Sequence, residues 1–252
     1  MRKNWLFRLL FVLLMLLGIG AVLFHFRYAI YRRIEPAFKE YRASRIPEGY
    51  LIHGIDVSRY QGRIDWDNLG KINKTYPVEF VLIRATMGAI GEDKEFPRNW
   101  KAAKRKGLVR GAYHYYNPNV NSSLQAENFM LTVDLASGDL RPVLDIEKVS
   151  SVQNIENLRK GIRNWMELVE EHYGVKPILY TYASFYKEYF EGHFDDYPLW
   201  VANYNRVNKP IRGEDWIFWQ HSETGTIDGI KGYVDLDLFE GDREDLSEWL
   251  VE

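Results

Sequence analysis

The sequence predicts an α/β protein: an N-terminal transmembrane helix followed by an irregular TIM-like barrel. Three observations carry this prediction. Eighteen residues free of Asp, Glu, Lys and Arg lie between Arg8 and Arg27. From residue 50 onward, short β-rich runs alternate with stretches long enough for helices. After residue 183 such runs continue, but the helical period between them stops. Strands alternating with helices indicate βαβ units and a parallel sheet.

The N-terminal stretch, LLFVLLMLLGIGAVLFHF, would reach roughly 27 Å as a helix, enough to span a bilayer core. It ends in Val-Leu-Phe-His-Phe, without the small-x-small pattern of a signal-peptidase site. An aromatic and basic flank follows (Arg27, Tyr28, Tyr31, Arg32, Arg33). Residues 1–33 are therefore read as a cytoplasmic flank and membrane anchor, with a cleaved signal peptide as the alternative. Basic residues nearly tie across the two ends, so the positive-inside count fixes orientation only weakly. Residues 34–49 read as a linker.

The first five β-rich runs are 51–57 (LIHGIDV), 80–86 (FVLIRAT), 110–116 (RGAYHYY), 141–147 (RPVLDIE) and 177–182 (PILYTY). In 95–106, Phe96, Trp100 and Ala103 recur at helical spacing before Gly107. In 154–172, Ile155, Leu158, Ile162, Trp165 and Val169 mark one helix face. Three more runs follow at 199–202, 216–220 and 233–238, separated by 12 to 13 residues. Eight strands, five followed by helices and three by loops, suggest a closed (β/α)₈-type barrel with its last helices lost. An open doubly wound sheet would want a Gly-rich phosphate loop after the first strand. Asp56-Val57-Ser58-Arg59-Tyr60-Gln61 is not one.

Composition removes several function classes. The apolar share of 46% suffices for a packed core, and the absence of cysteine rules out a disulfide scaffold. Residues 1–33 hold six basic and no acidic side chains, leaving 27 basic against 35 acidic in the rest. A body of that charge is a poor polyphosphate binder, so nucleic acid is not an expected partner.

The acidic residues fall where a barrel does its chemistry. Strand side chains alternate between faces, so Val143, Asp145 and Glu147 share one face and Leu144 and Ile146 the other. The apolar pair suits the helix layer, which turns the two carboxylates into the barrel mouth. Asp56 ends the first strand similarly, and Asp235 and Asp237 share a face of the last. First and last strands are neighbours in a closed barrel, so Asp56 and Asp235 can approach each other. Carboxylates converging there would repel, raise some pKa values, and create the acid/anion pairing that glycosidic cleavage uses. Asp and Glu at strand ends also serve as helix caps. A metal-dependent phosphodiesterase is a further reading, with His53, His114 or His221 beside the carboxylates. His53 and Asp56 differ in parity, however, and His114 reads as a hydrogen-bonded core residue. Aromatic residues cluster at strand ends, among them Tyr60, Tyr113, Tyr115, Tyr180, Trp200 and Trp219, and sugar rings pack on such faces. Asn203 and Gln220 are candidates for sugar hydroxyls.

The run from His53 to Gly62 (HGIDVSRYQG) resembles the opening strand of the glycoside hydrolase family 25 lysozymes, the Chalaropsis-type muramidases. So do Gly111-Ala112-Tyr113-His114-Tyr115, Gln125-Ala126-Glu127-Asn128-Phe129, and Pro142-Val143-Leu144-Asp145-Ile146-Glu147. Leu199-Trp200-Val201-Ala202, Trp219-Gln220 and Val234-Asp235-Leu236-Asp237-Leu238-Phe239 complete seven matches in family order. The resemblance implies a (β/α)₅(β)₃ barrel over residues 50–252. It also implies cleavage of the β-1,4 bond between N-acetylmuramic acid and N-acetylglucosamine in peptidoglycan, without metal or other cofactor. By position, Glu147 takes the general-acid role and Asp145 orients the substrate's own 2-acetamido group. Asp56 and Asp235 match the remaining acidic positions, with Asp237 the weaker candidate of its pair. Tyr60, Tyr113, Tyr115, Tyr180, Trp200, Asn203, Trp219 and Gln220 are expected to bind sugar. One departure is visible: after Ile83-Arg84-Ala85-Thr86 the family often carries Glu-Gly, whereas this chain has Met87-Gly88. The expected setting is a monomeric catalytic domain tethered in the cell envelope, on the periplasmic or extracellular side. A non-catalytic glycan-binding module with the same cleft is the alternative from a different class.

Overall fold

The computed structural model describes residues 2–43 and 46–252, which divide into an N-terminal helix and a barrel. Helix α1 (Arg2–Ala43) is 42 residues long. Its segment Phe7–Arg27 has the length and composition to cross a membrane. The helix runs through 34–43, where a linker was expected, because Ala, Lys, Glu and Arg in that stretch favour helix. Residues 44 and 45 of that linker lie outside the described residues.

The barrel elements are β1 (Ile52–Val57), β2 (Phe80–Met87), β3 (Gly91–Glu92), α2 (Phe96–Arg105), β4 (Val109–Tyr115) and α3 (Ser122–Thr132). They continue with β5 (Val143–Asp145), α4 (Ile155–Tyr173), β6 (Ile178–Tyr182) and the short α5 (Ala183–Phe185), which passes into a π-turn. β7 (Leu199–Ala202), β8 (Phe218–Gly225), β9 (Val234–Phe239) and α6 (Arg243–Ser247) end the chain. The sheet order β1-β9-β8-β7-β6-β5-β4-β2 closes through a β1–β2 pairing, with β3 a small hairpin on β2. Side-chain parity sorts the core into two clusters. Inward positions such as Ile52, Phe80, Leu82, Val143, Ile178, Phe218 and Phe239 fill the barrel floor. Outward positions such as Ile55, Ile83, Leu144, Leu179 and Leu236 pack against the helices.

Two expectations need correction. The first strand is not followed by an α-helix: only the 3₁₀ turns Arg59–Gln61 and Trp66–Asn68 precede β2. Residues 59–79 hold Gly62, Gly70 and Pro77, and Asn73 and Lys74 adopt positive φ, so no helical face can form. Ile64, Trp66 and Ile72 cover the sheet instead, and the Trp66 indole donates to Asn99 Oδ1 of α2 at 3.1 Å. The last strand, moreover, is antiparallel to both neighbours, unlike the all-parallel ring of a (β/α)₈ barrel. The segment 226–233 is too short for a parallel crossover, which needs about a dozen residues, so β9 turns straight back.

β9 consequently enters at the mouth and descends. Asp235 lies opposite Asp56 at the rim, and Asp237 lies deeper, opposite Gly54. A Cβ at Gly54 would sit 2.4 Å from the Phe80 ring, so glycine is required for that ring to fill the floor. Replacing Gly54 by Ala is expected to cost about 2–4 kcal/mol in urea unfolding, through overpacking. A Phe80→Leu change in the same chain should recover part of the loss, and an unchanged midpoint for Gly54→Ala would contradict this packing.

Candidate active site

The barrel mouth opens into a cleft of about 450 Å³. Asp56 reaches it from the end of β1, Asp145 from the end of β5, and Asp235 from the start of β9. Glu147 stands two residues past the β5 pairing, on the same face as Asp145. Backbone bonds hold this exit in place: Ile146 N donates to Tyr180 O at 3.1 Å, and Thr181 Oγ1 donates to Ile146 O at 2.6 Å. Tyr60, Tyr113, Tyr115, Tyr180, Trp200 and Gln220 line the same cleft.

Asn203 and Trp219 are not among the lining residues. In β7 and its exit the inward positions are Trp200, Ala202 and Tyr204, and in β8 they are Phe218 and Gln220. Asn203 and Trp219 therefore face the outer layer, where the Trp219 indole donates to Asn203 O at 2.9 Å. Parity alone separates Trp219 from its neighbour Gln220. The same parity test finds Arg84, Tyr182 and Tyr204, which line the cleft beside Lys148, Glu223 and Met87. Glu223, Lys148 and the Arg84 partner Asp93 lie at loops or irregular strand ends, where strand alternation gives no signal. The histidines sit outside. His53 packs its ring 4.2 Å from that of Tyr76, and burial lowers the His221 pKa to about 3. His114 is held between Thr86 Oγ1 (2.7 Å) and Gln125 Oε1 (3.2 Å), and burial lowers its pKa to about 4.

A chain of donors fixes the acid cluster. Tyr180 and Tyr204 hydroxyls both donate to Gln220 Oε1, at 2.8 and 2.5 Å. The Gln220 amide is thereby oriented to donate from Nε2 to Asp56 Oδ2 at 2.6 Å. Below it, Trp200 Nε1 donates to Asp237 Oδ1 at 2.9 Å. The Asp56 and Asp237 carboxyl groups are neighbours, and two such groups cannot share a buried space fully ionised. Asp237 Oδ2 is buried without a hydrogen-bond partner. Burial, then Asp237, raises Asp56 well above the usual carboxylate range, and burial, then Asp235, does the same for Asp237. Burial and Asp56 push Asp235 up to about 9.

The β5 pair differs in kind. Burial and the neighbouring Glu147 raise Asp145, whose Oδ1 is buried without a donor. Burial raises Glu147 as well, tempered by Lys148 and Arg84. Arg84 is anchored through Nε to Asp93 Oδ2 at 2.9 Å, and its guanidinium lies 4.9 Å from the Tyr60 ring centre. The cleft thus offers two neighbouring carboxyls, both raised by burial, one of which has an oxygen without a donor.

Residues 55–230 match the family model for glycosyl hydrolases family 25. The chain belongs to that family. The protein YegX of Escherichia coli (strain K12) is 45% identical over 206 residues, covering 81% of this chain and 75% of YegX. The family 25 glycosyl hydrolase of Bacillus anthracis superposes with a TM-score of 0.73 at 29% identity, over 81% of this chain and 96% of that structure. The bacterial lysozyme of Streptomyces coelicolor gives a TM-score of 0.70 at 30% identity, over 79% and 96% respectively. Asp56, Asp145 and Glu147 fall inside the family-matched span, whereas Asp235 and Asp237 lie just beyond it.

Raised carboxyl pKa values mean that the folded family 25 barrel binds more protons than the unfolded chain. Their contribution to stability is therefore neutral below the unfolded value near 4, and grows more unfavourable as pH rises toward about 9, the Asp235 value. Thermal unfolding scans are expected to show a midpoint that falls between about pH 5 and pH 9. An Asp237→Asn change supplies a permanent N–H donor to Asp56. It should raise stability at about pH 8 by about 1 kcal/mol or more and flatten the pH dependence. A wild-type midpoint independent of pH would contradict the protonated cluster.

Proposed function

We propose that this family 25 hydrolase cleaves the β-1,4 bond between N-acetylmuramic acid and N-acetylglucosamine in peptidoglycan, working from a membrane tether in the cell envelope. The observation that carries this reading is the Asp145–Glu147 pair: two neighbouring carboxyls raised by burial, with Asp145 Oδ1 buried and lacking a donor for the substrate to supply. The lysozyme of Streptomyces coelicolor, similar in fold and sequence, supports the substrate class. Glu147, protonated, donates its proton to the leaving glycosidic oxygen. The carbonyl oxygen of the substrate's 2-acetamido group attacks the anomeric carbon as that bond breaks. Asp145 Oδ1 accepts the acetamido N–H, holding the group in line and stabilising the positive charge that develops on it. The Glu147 carboxylate then takes a proton from water, which opens the cyclic intermediate and restores the acid. This substrate-assisted route is an exception to the two-carboxylate distance rule. Asp56 and Asp235 shape the field around the pair, and Tyr113, Tyr180 and Trp200 offer apolar faces to the sugar rings. The apolar segment Phe7–Arg27 supplies the tether, with a cleaved signal as the alternative.

Digests of purified peptidoglycan, reduced with borohydride and read by mass spectrometry, test the assignment. Wild-type protein should release fragments with reduced muramic acid ends, and Glu147→Gln should slow release by about 10²–10⁴-fold. Asp145→Asn should slow it as well, with little change in glycan retention. Reduced glucosamine ends would refute the bond assignment. Retention of glycan with no ends from wild type would favour a binding module.

A further inference from the structure

Charge in the barrel is segregated. Residues 59–110 carry 12 basic and 6 acidic side chains, whereas the remainder of 50–252 carries 12 basic and 26 acidic. Much of the excess is at the surface: Arg63, Lys71, Lys74, Lys101 and Arg105 are exposed, and Lys231, from outside that span, is exposed beside them. Four of these, Arg63, Lys101, Arg105 and Lys231, line one groove of about 710 Å³ beside α2. Its two acids are partly committed, Asp65 Oδ2 accepting from Asn68 at 2.9 Å and Asp67 facing Arg105 at 3.9 Å. The groove adjoins the cleft. Gln61, a cleft residue, donates to Tyr233 O at 3.2 Å, and Arg63 and Lys231 stand two residues beyond either end of that contact.

The cleft itself collects Asp56, Asp145, Glu147, Glu223 and Asp235. A glycan substituted with peptide stems is a polyanion, through the stems' side-chain and terminal carboxylates. Several of these acids are held protonated, but the barrel as a whole is net-negative and repels such a polymer unless opposite charge lies along its path. We infer that the basic face of Arg63, Lys101, Arg105 and Lys231 binds the carboxylates of peptide stems on the glycan strand seated in the neighbouring cleft. This rests on the peptidoglycan reading above and makes the enzyme selective for stem-bearing glycan. Exposed lysine and arginine heads suit such binding, because they exchange water for carboxylate at little cost and act on encounter more than on chemistry.

The test uses the full chain in neutral detergent, with intact peptidoglycan and the same glycan stripped of its stems by an amidase. The R63Q/K101Q/R105Q/K231Q variant, altered only at exposed positions, should show KM raised by about tenfold on intact glycan with kcat unchanged. On stripped glycan it should match wild type, and added salt should erase the wild-type advantage on intact glycan. Equal KM for the two proteins on intact glycan, or an equal rise on both substrates, would overturn the inference. Co-sedimentation with intact peptidoglycan, with Glu147→Gln added to both proteins, reads the surface independently of turnover. If no substrate is cleaved but the charge-neutralised protein sediments less, the hydrolase reading fails and the stem-binding face stands. Equal sedimentation of both proteins overturns it, and a preference of wild type alone for phosphatidylglycerol-doped micelles would then assign the face to lipid.

Discussion

Carboxyl groups brought to one closed barrel mouth cannot all be ionised. Closure of the sheet leaves little water at the level of Asp56, Asp145 and Asp237, all of them buried. Charge there is opposed both by lost hydration and by like-charged neighbours. The structure answers with protons and with aimed donors: Gln220 oriented by two tyrosines, Trp200 on Asp237, and Arg84 anchored by Asp93. That arrangement costs stability that an apolar mouth would not, a common exchange at sites kept for chemistry.

The antiparallel last strand is what makes the cluster possible. A parallel β9 would bring its carboxyl end to the mouth, placing Leu238 and Phe239 there and Asp235 deeper. By running downward, β9 sets Asp235 at the rim opposite Asp56 and sends Asp237 in beneath it, opposite Gly54. The two-residue step of one strand thus builds two layers of acid, the upper reaching the cleft and the lower buried under it. On the opposite wall Asp145 closes the β5 pairing and Glu147 lies just past it, beside Lys148.

Much of this was legible in the sequence because strand alternation is a strict period of two. Leu144 and Ile146 facing helices and Asp145 and Glu147 facing the mouth follow from VLDIE alone, and the structure has that parity. The same period bears on Trp219 and Gln220, which are adjacent and cannot both face inward; Gln220 is the one that lines the cleft. Chain direction was less legible. The eight residues between β8 and β9 are too few for a crossover, but strand 216–220 extends to Gly225, and without that extension the connection looked longer. The missing first helix was foreshadowed by Gly62, Gly70 and Pro77. Asp93 left no trace, since its importance comes from a two-residue hairpin that places it against Arg84 and the Arg59 amide at 2.8 Å.

Carbon-13 NMR of the carboxyl groups, in protein labelled at Asp and Glu and titrated across neutral pH, tests the protonated acid cluster most directly. At about pH 7, a resonance belonging to the Asp56–Asp237 pair, lost in Asp237→Asn, is expected to have the shift of a protonated acid. Glu147, identified by its loss in Glu147→Gln, should titrate above the ordinary glutamate range. Titration of every Asp and Glu near about 4, as in solvent, would contradict the protonated cluster.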